Sequence, residues 1–146
     1  MRVELSRFKV KPGKSARVDE WLHMINERMD EAVATLDREE MKLEVIFREL
    51  IGGNEYLYWF TVQGESGAPV QTSPHDVDRA HIAFHEECID HDYGMRDAQP
   101  QAIIVPSAVA KAMDWNDPPQ ARVNFEPREI IRRRSNVPSH PTGAAS

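Results

Sequence analysis

Apolar and polar positions alternate at the start of the chain, Val3 and Leu5 against Glu4 and Ser6, with Phe8 and Val10 following on the other face. A period of two predicts a strand over Val3–Val10, and apolar residues on both faces predict cover on both sides. Lys11-Pro12-Gly13 ends it. From Ser15 the period becomes helical. Val18, Trp21, Leu22, Ile25, Met29, Ala32, Val33 and Leu36 fall in one arc of roughly 120°, which predicts a single amphipathic helix over Ser15–Leu36, with His23 on its polar side. Lys42–Ile51 and Glu55–Gln63 are rich in β-formers and flank Gly52-Gly53-Asn54, a hairpin connection. Leu43, Val45 and Phe47 share one face of the first, and Glu44, Ile46, Arg48 and Leu50 the other. In the second, Tyr56, Tyr58, Phe60 and Val62 oppose Leu57, Trp59, Thr61 and Gln63. A second helix is predicted over Pro74–Tyr93, with Ser73 as N-cap, Asp76 and Asp78 at the positive end of the dipole, and Gly94 past its end. Ala102–Val105 reads as a fourth strand, and Pro106-Ser107 opens a short helix, Ala108–Met113.

The order strand–helix–strand–strand–helix–strand is the ferredoxin-like split βαβ arrangement. Right-handed crossovers place both helices on one face of the sheet. The predicted fold is therefore α+β, ferredoxin-like βαββαβ, a four-stranded antiparallel sheet with two helices on one face. Both strand faces carry large side chains, so the face opposite the helices also needs cover, and a homodimer through the sheet face supplies it.

The 146 residues are 40% hydrophobic and 29% charged, the balance of a globular domain with a real core. Residues 1–113 carry a charge of −7 and residues 114–146 a charge of +1 with five of the ten prolines. This places the folded domain at 1–113 and a flexible tail at 114–146, in which Arg132–Arg134 is a solvated basic run. A net charge of −6 argues against nucleic-acid binding, which needs clustered Lys and Arg. No apolar run is long enough for a membrane span, and the N-terminus lacks a signal-peptide core. With a single cysteine, the expectation is a cytoplasmic protein. No Gly-rich phosphate loop or nucleophile elbow occurs, and no cofactor is expected.

The candidate chemistry lies in the second helix, which holds four of the six histidines. Projected on a wheel, His81 and His85 interrupt its apolar arc, with Asp78 and Asp92 beside them, while His75 faces outward. A buried imidazole needs a partner or a cavity. Three readings stay open. The pair is bonded within the core, to Glu44 or Asp78; or it lines a small-molecule pocket with Trp59 and Tyr58 as walls, Tyr56 beside them, and Arg48, Glu44 and Asp78 as polar groups; or it holds a metal, for which a lone HxxxH is a thin signal and HExxH is absent. In an enzyme, His81 or His85 would be the base. Cys88 on the apolar arc reads as a small hydrophobe.

The strings VELSRFKVKPGKSARVDEW, IFRE, EYLYWFTVQGE and HEECIDHDYG, in this order over residues 2–113, resemble an uncharacterised bacterial domain-of-unknown-function family of the dimeric α+β barrel superfamily. The resemblance implies ferredoxin-like domains paired sheet to sheet, with fold-level relatives among monooxygenases, stress-response barrels, mutarotases and haem-handling proteins. It carries over no catalytic residue. The expected function is binding of a small organic molecule between the second helix and the sheet. The alternatives are a cofactor-independent enzyme, a proton-transfer isomerase or monooxygenase-like, using His81 and His85, or a structural, stress-response module without a ligand.

Overall fold

A computed structural model describes residues 1–116. The basic run Arg132–Arg134 and most of the expected tail lie outside them. The described residues form an α+β domain: β1 (Arg2–Lys9), α1 (Ser15–Glu27), α2 (Met29–Leu36), β2 (Met41–Ile51), β3 (Asn54–Gln63), a 3-10 turn at Val70–Thr72, α3 (Asp76–Cys88), β4 (Arg96–Ala98) and α4 (Ser107–Ala112). The four strands form one antiparallel sheet in the order β2-β3-β1-β4. Among the described residues no helix is long and apolar enough to cross a membrane.

The alternation in β1, β2 and β3 divides the side chains as their sequence predicts. Register pairs Leu5 with Phe60 and Val45 with Phe60, which puts these three on one face. Phe8 pairs with Leu57 and Ile46 with Trp59 on the other. The hairpin between β2 and β3 turns on Gly52 and Gly53, both with positive φ (56° and 78°), while Asn54 already belongs to β3. Two successive positive φ values match the strands' right-handed twist, and glycine reaches them without strain.

The main core forms where α1 and α3 pack on the Phe8–Leu57–Trp59 face. Val10, Val18, Trp21, Leu57, Cys88 and Ile89 are buried there, with Leu22, Ile25 and Phe84 around them. Full burial of an aliphatic side chain contributes about 1.5–3 kcal/mol, so this cluster anchors both helices to the sheet. Trp21, wholly buried, stacks on Phe84 and lies 5.5 Å from Trp59. A second core lies on the other face, where Ala110 of α4 and Trp115 bury Val62, with Val3, Phe60, Ile103 and Val105 packed around them.

Three expected elements differ. The first helix is not continuous: Arg28 (φ −107°, ψ 31°) breaks it into α1 and α2. The apolar arc therefore does not stay buried, and Met29 and Val33 are exposed while Ala32, Thr35 and Leu36 turn to a separate pocket. The second helix ends at Cys88, five residues short of Tyr93. There the chain pairs with the end of β1: Val10 bridges Ile89, Lys11 N donates to Cys88 O and Asp90 N to Lys9 O. Strand-type hydrogen bonds win over further helix, and His91 and Asp92 leave the helix surface. Finally, Ala102–Val105 is not a strand. The fourth strand is the polar triplet Arg96–Ala98 beside β1. The apolar run, bounded by Pro100 and Pro106, lies over the sheet and uses Ile103 and Val105 to cover it; burial rather than pairing satisfies these side chains.

Candidate functional site

Between α2, α3 and the helix-side face of the sheet lies a pocket of about 420 Å³. Its apolar walls include Ile25, Ala32, Leu36, Met41, Trp59 and Val77, and its polar groups include Glu39, Glu44, Asp78 and His81. Several arrive by local rules. Glu44 and Trp59 are on the strand face that alternation turns toward the helices. Asp78 sits in the first turn of α3, where a negative charge is favoured, and His81 follows one turn later. Met41 is brought in by a register shift between Met41 and Leu43, which pairs Met41 with Gln63 on the pocket face.

Glu39 is placed by the turn between α2 and β2. Residues 38–40 are strapped to the loop after β3: Gly64 N donates to Glu40 O at 2.9 Å, Ala68 N to Arg38 O at 3.0 Å, and Gln63 Nε2 to Glu39 O at 2.9 Å. The loop passes so close that a Cβ on Gly67 would stand 1.9 Å from Glu39 O.

Hydrogen bonds in the pocket are unevenly supplied. Trp59 Nε1 donates to Glu44 Oε1 at 2.9 Å. Asp78, 7% exposed, has a buried Oδ2 that no donor of the described residues reaches. Burial and the neighbouring charges of Asp78 and Glu44 push the Glu39 carboxyl up to about 7. Burial also raises Glu44, with Asp78 adding and the Trp59 indole opposing. His81 moves the other way: burial and then His85 bring it down to about 4, against Asp78. Trp21 Nε1 donates to His81 Nδ1 at 3.3 Å, so the neutral ring carries its proton on Nε2. The ring lies 5.3 Å from Trp21 and 5.5 Å from Trp59.

The structure thus brings together His81, Trp59, Glu44 and Asp78 of the residues singled out from sequence. His85 stands one step away. It packs edge-on against Phe8 (5.3 Å) and borders a separate recess of about 280 Å³, whose wall it shares with His81 and Trp59. Burial lowers its pKa. Tyr58 is on the opposite face of the sheet, its hydroxyl on Glu49 Oε2 at 2.8 Å. Arg48 is on the helix-side face but its guanidinium is held by Asp19 and by Glu55 (2.7 Å). His81 takes its hydrogen bond from Trp21 rather than from Glu44 or Asp78. Among the described residues no group of three His, Cys, Asp or Glu is arranged to hold a metal ion. Cys88 is buried, with burial raising its thiol pKa.

Glu39 and Thr35 were not legible as site residues. Arg38-Glu39-Glu40 reads as a solvated charge run, and only the tight spacing of Gly64 and Gly67 hints at a close approach there.

Fold and site together define a small α+β domain with a carboxyl-rich pocket on the helix side of its sheet. The chain belongs to DUF6176, a family of unknown function, whose profile spans residues 1–111. Comparison with curated proteins gives no match.

Proposed function

We propose that this protein is a homodimeric, ferredoxin-like domain that binds a small organic molecule in the pocket between α3 and the sheet. The observation that carries the reading is the 420 Å³ recess itself, which sets Glu39, Glu44, Asp78 and His81 among apolar walls. A few convergent polar groups on a mostly apolar surface are the usual make-up of a small-molecule site. The sheet order β2-β3-β1-β4, with α1 and α3 on one face, supports the ferredoxin-like reading. Exposed Leu43 and Phe47 on the other face support a second copy there.

Proton transfer is a second reading, favoured by the Glu39 carboxyl standing near neutrality. His81, at about 4, is neutral at physiological pH and serves better as a hydrogen-bonding group than as a base. In that reading Glu39 takes and returns the proton.

The test is a protein-observed NMR screen of small fragments, repeated on an Ala32→Phe variant that fills the pocket. Binding that shifts the Trp59 indole signal and is lost in the filled variant is expected. Binding that shifts only other residues, or that survives the filling, would overturn the reading.

A further inference from the structure

The pocket has more hydrogen-bond acceptors than donors. Carboxylate oxygens accept only, and Glu39, Glu44 and Asp78 bring three carboxyl groups to one recess. Apart from the His81 Nε2–H and the proton of neutral Glu39, the donors nearby are committed. The Trp59 indole serves Glu44. The Thr35 hydroxyl bonds Ala32 O, and Gln63 Nε2 bonds Glu39 O. Arg2 is held by Gln63 Oε1 and Glu4, and Arg38 by Thr72 and Pro69 O. Among the side chains of this pocket, Asp78 is deeply buried and its Oδ2 has no partner among the described residues. A buried acceptor without a donor costs about 1–3 kcal/mol, and helix-dipole support for Asp78 offsets only part of this.

Resting on the pocket's being a ligand site, we propose that its ligand carries a protonated amine, whose N–H the Asp78 carboxyl receives and whose charge the Glu39 and Glu44 carboxyls face. An ammonium group offers three donors and a positive charge, and the Trp59 ring in the wall suits a cation. An organic cation fits better than a metal ion, since among the described residues no three ligating side chains are arranged around a common point for one.

Binding then has a proton signature. Glu39 faces Asp78 on α3 and Glu44 on β2, with Arg38 beside it and Arg2 on β1 lining the same pocket. An incoming cation outweighs the acidic neighbours and ionises Glu39, which releases a proton near pH 7.

The experiment uses the full chain and matched probes: 2-phenylethylamine, 2-phenylethanol and 3-phenylpropanoate, with further trios on other small scaffolds. Affinities come from titration calorimetry at pH 7 in buffers of different ionisation enthalpy. The amines are expected to bind at least tenfold more tightly than the alcohols, with proton release, and the carboxylates least. Asp78→Asn should weaken amines at least fivefold more than it weakens alcohols. Alcohols or carboxylates binding as well as amines, displaced by the Ala32→Phe filling, would overturn the amine and leave the pocket standing. Failure of every class would overturn both. Should Asp78→Asn not fold, Glu44→Gln carries the same comparison.

Discussion

At the scale of single residues, Glu39 and His81 pull the domain's pH dependence in opposite directions. Glu39 is raised from 4.5 to about 7, so its protonated form suits the fold. Its stabilising contribution is fully present below pH 4.5 and is lost as pH rises through about 7. His81 is lowered from 6.5 to about 4. Its contribution is present above pH 6.5 and is lost as pH falls through about 4. Glu39→Gln removes the first effect alone. Thermal melts from pH 4 to pH 8 should show the variant gaining on the order of 1 kcal/mol at pH 8, after allowance for solvent screening. They should also show it keeping the loss of stability below pH 6.5. An unchanged slope between pH 5 and pH 7.5 would mean that Glu39 ionises normally.

At the scale of elements, the site depends on two local departures from regular structure and on one strap. The break at Arg28 turns α2 so that Ala32, Thr35 and Leu36 reach the pocket. The register shift in β2 turns Met41 inward. The strap from Gly64 to Ala68 fixes Glu39, and it needs glycine at position 67 because the obstacle to a side chain is the backbone carbonyl of Glu39. Gly67→Ala should therefore destabilise the domain by about 1–3 kcal/mol, the usual cost of overpacking. It should also weaken fragment binding in the pocket. Chemical denaturation measures the first and NMR titration the second. A variant of wild-type stability would show that the loop can move aside.

At the scale of the whole molecule, the two faces of the sheet are unequally covered. α1 and α3 pack on the Trp59 face, while α4 and Trp115 cover only part of the other. Phe47 remains 53% exposed and Leu43 38%, a patch that suits a second copy. In the proposed dimer these residues meet the partner sheet. Phe47→Glu should convert a dimer to a monomer at micromolar concentration, with the Trp21 core intact by tryptophan fluorescence. Light scattering coupled to sizing decides it, and a wild-type chain that runs as a monomer would remove the dimer.

Period and alternation in the sequence determined the three long strands, the face each side chain takes, the hairpin at Gly52-Gly53, and the inward direction of His81. These are local properties, because a strand's faces and a helix's arc follow from spacing alone. The end of α3, the break at Arg28 and the identity of the fourth strand were decided by tertiary structure. Residues 88–90 find backbone partners at the end of β1 and just past it, and Ile103 and Val105 find burial without pairing. The same holds for the site. Spacing marked His81 as facing inward with Asp78 beside it, while the tertiary structure decided that the strand face of Glu44 and Trp59, not that of Tyr58, meets the helices, and Arg48 went to other partners. Glu39 entered only because a loop about 25 residues further along the chain clamps its turn against the sheet. Which charged residues become buried neighbours is a long-range property, set by chain crossings that no local pattern records.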